Sequence, residues 1–393
     1  MLDFIDPMKS APGQTEFLSP FTIAIPEAVL EDLKRRLDAT RLPEQETVPD
    51  ASQGPRLARI KELIEYWKTE YDWRRVEKRL NQYPQFKTGI DGLGIHFLHV
   101  RSRHPNAMPL ILTHGWPGSV IEFLDIIDSL VDPIAHGGKA EDAFHLVIPS
   151  LPGYGFSDKP EDKGWNRNRI AKAWHALMRR LGYDQYVAQG GDWGSHVTIE
   201  MARLQLPGLK AIHTNLPLVT PRDKPAYPTP DEQRAFDQLA RFGTDGSGYY
   251  WQMVTRPQTI GYALADSPVG LLSWIYDKFE SWTDSNGDPV SVLGYDKILD
   301  DITLYWVTNT GASSARMYAE HPDLDFYAIP VHIPVGVSVF PGEIWTPPES
   351  WARQTYPNLV YWNKTSRGGH FAAFEQPVLF ADEVRKAFRS IRN

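Results

Sequence analysis

Short apolar runs alternate with amphipathic stretches through the middle of the chain. Ile95-His96-Phe97-Leu98-His99-Val100 reads as a strand, and Pro109 to Thr113, Phe144 to Pro149, Tyr186 to Gln189 and Leu209 to His213 read as four more. Between them, Val120 to Leu130, Asn168 to Leu181 and Ser195 to Leu204 place apolar residues at helical spacing. Short apolar strands separated by helices predict a mainly parallel α/β sheet flanked by helices.

The two ends of the chain are patterned differently. Pro26 to Thr40 predicts a helix, with Pro26 suited to a first helical position and Val29, Leu30, Leu33 and Leu37 on one face. A second helical run is expected over Leu57 to Leu80, with Ile60, Leu63, Ile64 and Trp67 aligned. These helices carry too little apolar surface for a core of their own and must pack on the rest. After Pro217 the strand–helix alternation stops, and residues 218 to 328 are rich in Trp, Tyr and helical patterns. Strand candidates Val331 to Phe340 and Leu359 to Asn363, then a helix from Val378 to Ile391, resume the earlier pattern. The expected organisation is an N-terminal helical extension (1–90), a first part of the α/β core (91–217), a helical lid (218–328) and a second part of the core (329–393).

Composition narrows the chemistry. The chain has 393 residues, and 41 basic against 49 acidic side chains leave a net charge of -8. That balance lacks the basic footprint of a nucleic-acid binder. Cysteine is absent, which excludes thiol nucleophiles, disulfides and cysteine metal sites. Met1 to Pro20 holds Asp3, Asp6, Lys9 and Glu16 and no apolar leader, and no membrane-spanning run follows. A soluble, cytoplasmic protein without a membrane anchor is the expectation.

One segment stands out chemically. Gly190-Gly191-Asp192-Trp193-Gly194 lies between a strand and a helix, where small residues permit a tight turn that lifts the central side chain clear of the sheet. The turn carries a carboxylate where a serine esterase would carry a hydroxyl, so serine chemistry is excluded. Alone, the pattern also fits an Asp capping the next helix. Ser366-Arg367-Gly368-Gly369-His370-Phe371 places a histidine after the last strand. Glu343, just past the strand ending at Phe340, is the preferred acid over Glu349, which reads as an exposed helix residue. The chain order Asp192, Glu343, His370 is the nucleophile–acid–base order that hydrolases built on such a turn use. His114-Gly115-Trp116-Pro117-Gly118-Ser119 follows an apolar strand, and the backbone N–H groups of Trp116 and Trp193 are the oxyanion-hole candidates. Pro152 to Phe156 is a turn that shapes the site without a chemical role.

Together, His114 to Ser119, Gly190 to Gly194, Gly369 to Glu375 and Tyr71-Asp72-Trp73-Arg74 through Leu80-Asn81 resemble epoxide hydrolases of the microsomal and juvenile-hormone type. The resemblance runs from about Phe21 to Ile391 and implies the α/β-hydrolase fold. It also implies an aspartate nucleophile (Asp192), a histidine base (His370), a carboxylate partner (Glu343) and two lid tyrosines that donate to the epoxide oxygen. One lid tyrosine maps to Tyr318. The other maps to Tyr249 or Tyr250, with the count back from Pro257 favouring Tyr249. Membrane-bound members carry an N-terminal anchor, so the resemblance is to soluble fungal or bacterial relatives.

The expected reaction opens a small apolar epoxide to a vicinal diol through an alkyl ester on Asp192, with no metal or organic cofactor. A haloalkane dehalogenase, which also uses an Asp-Trp pair, and a non-catalytic ligand-binding protein of the same fold are the rivals. Substrate identity, enantioselectivity and oligomeric state are open, a homodimer being one option.

Overall fold

The computed structural model describes residues 18–321 and 327–392. The reading of Met1 to Phe17, and of 322–326 inside the expected lid, lies outside these residues. Among the described residues, one nine-stranded sheet runs in the order β1-β2-β3-β5-β4-β6-β7-β8-β9. The strands are β1 (Ser19–Phe21), β2 (Gln85–Ile90), β3 (Leu93–Val100), β4 (Met108–Thr113), β5 (Phe144–Pro149), β6 (Tyr186–Gly190), β7 (Leu209–Thr214), β8 (Val335–Val339) and β9 (Leu359–Lys364). From β5 across to β9 every neighbour is parallel, while β1, β2, β3 and β5 pair antiparallel. Leu110, Ile111, Val147, Ile148, Val187, Ala188, Ile212, Val335 and Val337 are wholly buried on these strands. Helices cover both faces, which is why the parallel strands read as unbroken apolar runs.

The extension expected to be helical also supplies two strands. β2 and β3 form a hairpin across Asp91-Gly92, both at positive φ (50° and 81°). An Asp-Gly pair in a two-residue loop suits the turn that matches strand twist. The single helix expected over Leu57 to Leu80 is two, Leu57–Thr69 and Trp73–Leu80. Asp72 breaks the run in an extended conformation and accepts the Arg74 N–H, capping the second helix. Val120 to Leu130 is likewise a 3-10 turn (Val120–Phe123) and a short helix (Ile127–Val131).

Between β7 and β8 lie the helices Pro230–Arg241, Gly248–Thr255, Pro257–Asp266, Pro268–Trp282, Val290–Val307 and Gly311–Ala319. The N-terminal helices dock on one of them. The Trp67 indole donates to Thr303 (3.0 Å), and Tyr71 and Arg75 both donate to Asp300 (2.9 and 2.8 Å). Their apolar stripe of Ile60, Leu63, Ile64 and Trp67 is buried. The extension thus holds the helix Val290–Val307 over the C-terminal edge of the sheet. No helix among the described residues is long and apolar enough to cross a membrane.

Candidate active site

The chain leaves β6 and enters the helix Asp192–Arg203 in one step, with Asp192 itself at φ 48°. A non-glycine residue in the left-handed region is strained, and such strain clusters at functional sites. The flanking glycines have no room for a side chain: a Cβ on Gly190 would lie 2.1 Å from the Gly194 carbonyl oxygen, and one on Gly194 would lie 1.9 Å from that of Thr113. The packing that makes these positions glycine also aims the Asp192 carboxylate out beyond the sheet.

His370 and Glu343 arrive from neighbouring loops. β8 and β9 are parallel, with Val339 opposite Lys364, and the loops beyond them touch again at the Gly342–Gly369 bridge. The imidazole lies between two carboxylates. Its Nδ1 is 2.6 Å from Glu343 Oε1, and its Nε2 is 3.3 Å from Asp192 Oδ2. Glu343 Oε1 also accepts the Ile344 N–H at 2.8 Å, while its Oε2 is buried without a partner. Burial opposes charge on His370, but Glu343 and Asp192 outweigh it and hold the imidazole well above its ordinary value. Glu349, the rejected competitor, pairs with Arg353 on its own helix and not with His370.

The Trp116 N–H donates to Asp192 Oδ1 at 2.7 Å. The Trp193 N–H belongs to the first turn of its helix, whose amides have no intrahelical acceptor. The two oxyanion candidates therefore flank the carboxylate. The ring of Tyr249 stacks on Trp116, with centroids 5.0 Å apart and planes 8° apart, and Tyr318 meets Trp116 and Trp193 edge-on. Tyr249 and Tyr318 share a side-chain hydrogen bond. Burial, with Asp192 next in weight for Tyr249 and Tyr249 next for Tyr318, pushes both phenols well above 10. Tyr250 packs against Trp251 and Tyr318 instead. Of the two adjacent tyrosines, Tyr249 is the one that stacks on Trp116.

The structure adds a residue the sequence did not single out. A cavity of about 20 Å³ lies behind Asp192 and His370 and is also lined by Glu122, Gln189, Asn215 and Gly118. Neither lid tyrosine lines it. The space suits about one water molecule, and the buried Gln189 Oε1 has no protein partner. Burial, with Asp301 adding, pushes the Glu122 carboxyl well above the carboxylate range, which favours its protonated form. Glu122 sits at the fourth position after Gly118, in a stretch whose pattern reads as an ordinary helix face. Only tertiary packing places it beside the nucleophile.

The chain is similar to known proteins along nearly its whole length. Residues 18–123 match the family described as epoxide hydrolase N terminus, and residues 108–246 match the alpha/beta hydrolase fold. The chain is 61% identical to a Stigmatella aurantiaca protein provisionally named an epoxide hydrolase, over 95% of this chain and 86% of that one. It is 37% identical to epoxide hydrolase 1 of Sus scrofa, over 96% and 90%. The crystal structure of juvenile hormone epoxide hydrolase from Bombyx mori superposes with a TM-score of 0.87 at 32% identity, covering 97% of this chain and 96% of that one. That of Aspergillus niger epoxide hydrolase gives 0.85 at 34%, covering 97% and 99%. None of these relatives favours the dehalogenase or the non-catalytic alternative. With similarity spanning nearly its whole length in both sequence and structure, this chain belongs to the epoxide hydrolase family of the α/β-hydrolase fold.

Proposed function

We propose that the protein converts small apolar epoxides to vicinal diols through a covalent ester on Asp192. The observation that carries this reading is the His370 imidazole held between Asp192 and Glu343, beneath the phenols of Tyr249 and Tyr318. The wall of Trp116, Trp193, Trp282 and the two tyrosines favours a neutral, apolar substrate.

The attack uses Asp192 as the carboxylate, and the flanking Glu343 and Asp192 favour a proton on His370. One Asp192 oxygen attacks an epoxide carbon, and the C–O bond of the ring breaks. The departing oxygen takes a proton from Tyr249 or Tyr318, which are neutral donors at pH 7. The phenolate is reprotonated by the imidazolium. This leaves an alkyl ester on Asp192 and a neutral imidazole, whose charge the now uncharged Asp192 no longer supports. A water in the cavity behind the ester, held by Glu122, then gives a proton to His370 and adds to the ester carbonyl. The oxyanion rests on the N–H groups of Trp116 and Trp193, where one lost donor typically costs about 100- to 1,000-fold. Collapse breaks the ester C–O bond, the departing alkoxide takes the proton of the new Asp192 hydroxyl to become the diol, and the carboxylate is left beside the imidazolium. Glu343 orients the imidazole and stabilises its charged form.

The experiment is a single turnover in heavy-oxygen water. The first diol should be unlabelled at its new hydroxyl, and the label should enter Asp192. Label in the first diol would show direct attack by water. His370→Gln should accumulate the ester, detectable as a mass increase equal to the substrate.

A further inference from the structure

One cation is buried beside the lid tyrosines. Lys278, on the helix Pro268–Trp282, is only 6% exposed. Its ammonium pairs with the neighbouring Asp277 at 2.5 Å, and Asp277 remains 32% exposed. A pair of adjacent residues on a helix could lie wholly in solvent, where neither charge is desolvated. Here the lysine end is turned inward. It lies 4.5 Å from the ring centroid of Tyr249 and 5.3 Å from that of Trp282. Trp116 stacks on the same ring, with centroids 5.0 Å apart.

A cation on an aromatic face is attracted by the ring's quadrupole, more strongly when desolvated. The attraction grows as negative charge enters the ring. It therefore acts on a phenol that is giving up its proton more than on one that keeps it. We propose that Lys278 is a positioning residue for epoxide opening: its ammonium, fixed on the face of Tyr249, strengthens the Tyr249 hydroxyl as donor to the departing oxygen. The proposal rests on the donor role given to Tyr249 above. Burial and the nearby Asp192 work against ionisation of that phenol and the Tyr318 hydrogen bond favours it; the Lys278 ammonium, 4.5 Å from the ring centroid, acts in the same direction as that hydrogen bond. The lysine touches no reacting atom.

The test uses Lys278→Met and Lys278→Gln, which keep most of the stem and remove the charge, with folding checked by thermal melting. Single turnovers with styrene oxide separate formation of the ester from its hydrolysis. Ester formation is expected to slow about 3- to 30-fold, with ester hydrolysis within twofold of the parent. Site-specific 3-fluorotyrosine at position 249, a more acidic phenol of nearly the same shape, should recover most of the loss in the Lys278→Met protein. A packing role would not respond to phenol acidity. If Tyr249→Phe slows ester formation but the Lys278 variants do not, or if fluorotyrosine gives no recovery, the role of Lys278 is overturned. If Tyr249→Phe itself forms the ester at the parent rate, the donor assignment fails and this proposal fails with it.

Discussion

Glu343→Gln isolates charge from geometry in the catalytic pair. Glu343 Oε1 accepts from both His370 Nδ1 and the Ile344 N–H. A glutamine can keep both bonds with its own oxygen, and its amide NH2 then occupies the position of Oε2, which has no partner. The histidine therefore stays in place and loses only the anion beside it. Unit charges roughly 3.5 Å apart interact by about 5 kcal/mol at an effective dielectric near 20. Relaxation around the uncharged amide and its surviving hydrogen bond reduce this to about 3 kcal/mol, or roughly 100-fold in rate. The loss should fall on ester hydrolysis, the step in which His370 gains charge after Asp192 has been neutralised. Ester formation, in which Asp192 still supports the imidazolium, should slow less than about tenfold. Stopped-flow tryptophan fluorescence can follow both phases, because Trp116 and Trp193 flank the reacting carboxylate, and mass spectrometry should find the ester accumulating. The nitrogen resonances of His370 should also report deprotonation at lower pH than in the parent. Turnover within threefold of the parent, or a loss confined to ester formation, would refute the charge argument.

Tyr318→Phe should slow ester formation about 10- to 100-fold and leave hydrolysis of a preformed ester nearly unchanged; equal losses in both phases would contradict a donor role. Glu122→Gln keeps a neutral polar group at the water cavity and should stay within about threefold of the parent. Glu122→Ala should slow ester hydrolysis about 10- to 100-fold in the same single-turnover assay, and a Gln variant as poor as Ala would show that the carboxyl itself is needed. Asp301, which accepts from Ser119 Oγ at 2.6 Å, is pushed by burial up to about 8. Its folded pKa is raised, so its contribution to stability is full below the unfolded value of about 3.9 and is lost as pH rises to about 8, by up to roughly 5 kcal/mol. Asp301→Asn should therefore gain several degrees in melting temperature relative to the parent between pH 5 and pH 8, and a pH-independent difference would dismiss this titration.

The parallel strands were legible because burial on both faces leaves a signature that needs no partner to be recognised. Phe144–Pro149 has the bounds its apolar run predicts, and β4, β6 and β7 differ from expectation by one residue. β1 and β2 were not read as strands. β1 has three residues, none fully buried, and exists only because Gln85 to Lys87 pair with it. β2 alternates weakly and contains Gly89, yet the Asp91-Gly92 pair between it and β3 was a usable hairpin signal. The break at Glu70 to Asp72 was hidden because the segments on both sides are amphipathic at helical spacing, while their buried faces (Ile60, Leu63, Ile64, Trp67 and then Trp73, Val76, Leu80) are out of phase and Asp72 caps the second.

For the site, the order of motifs along the chain was enough to nominate Asp192, His370, Glu343 and Trp116. Each sits in a turn whose glycines and neighbours are local requirements, and local requirements are written in contiguous residues. Resemblance to relatives nominated Tyr318 and left Tyr249 against Tyr250. Adjacent residues on one helix point in different directions, and which of them meets Trp116 depends on how the helix Gly248–Thr255 seats on the core. Glu122 and Lys278 carry no local mark at all. A charged residue on an amphipathic helix reads as solvent-facing, and their functional surroundings come from burial against segments tens to hundreds of residues away. The sequence by itself determined which backbone turns could present a carboxylate and an imidazole. The tertiary structure decided which side chains surround them, because desolvation and electric field are properties of everything packed nearby and not of any one stretch of chain.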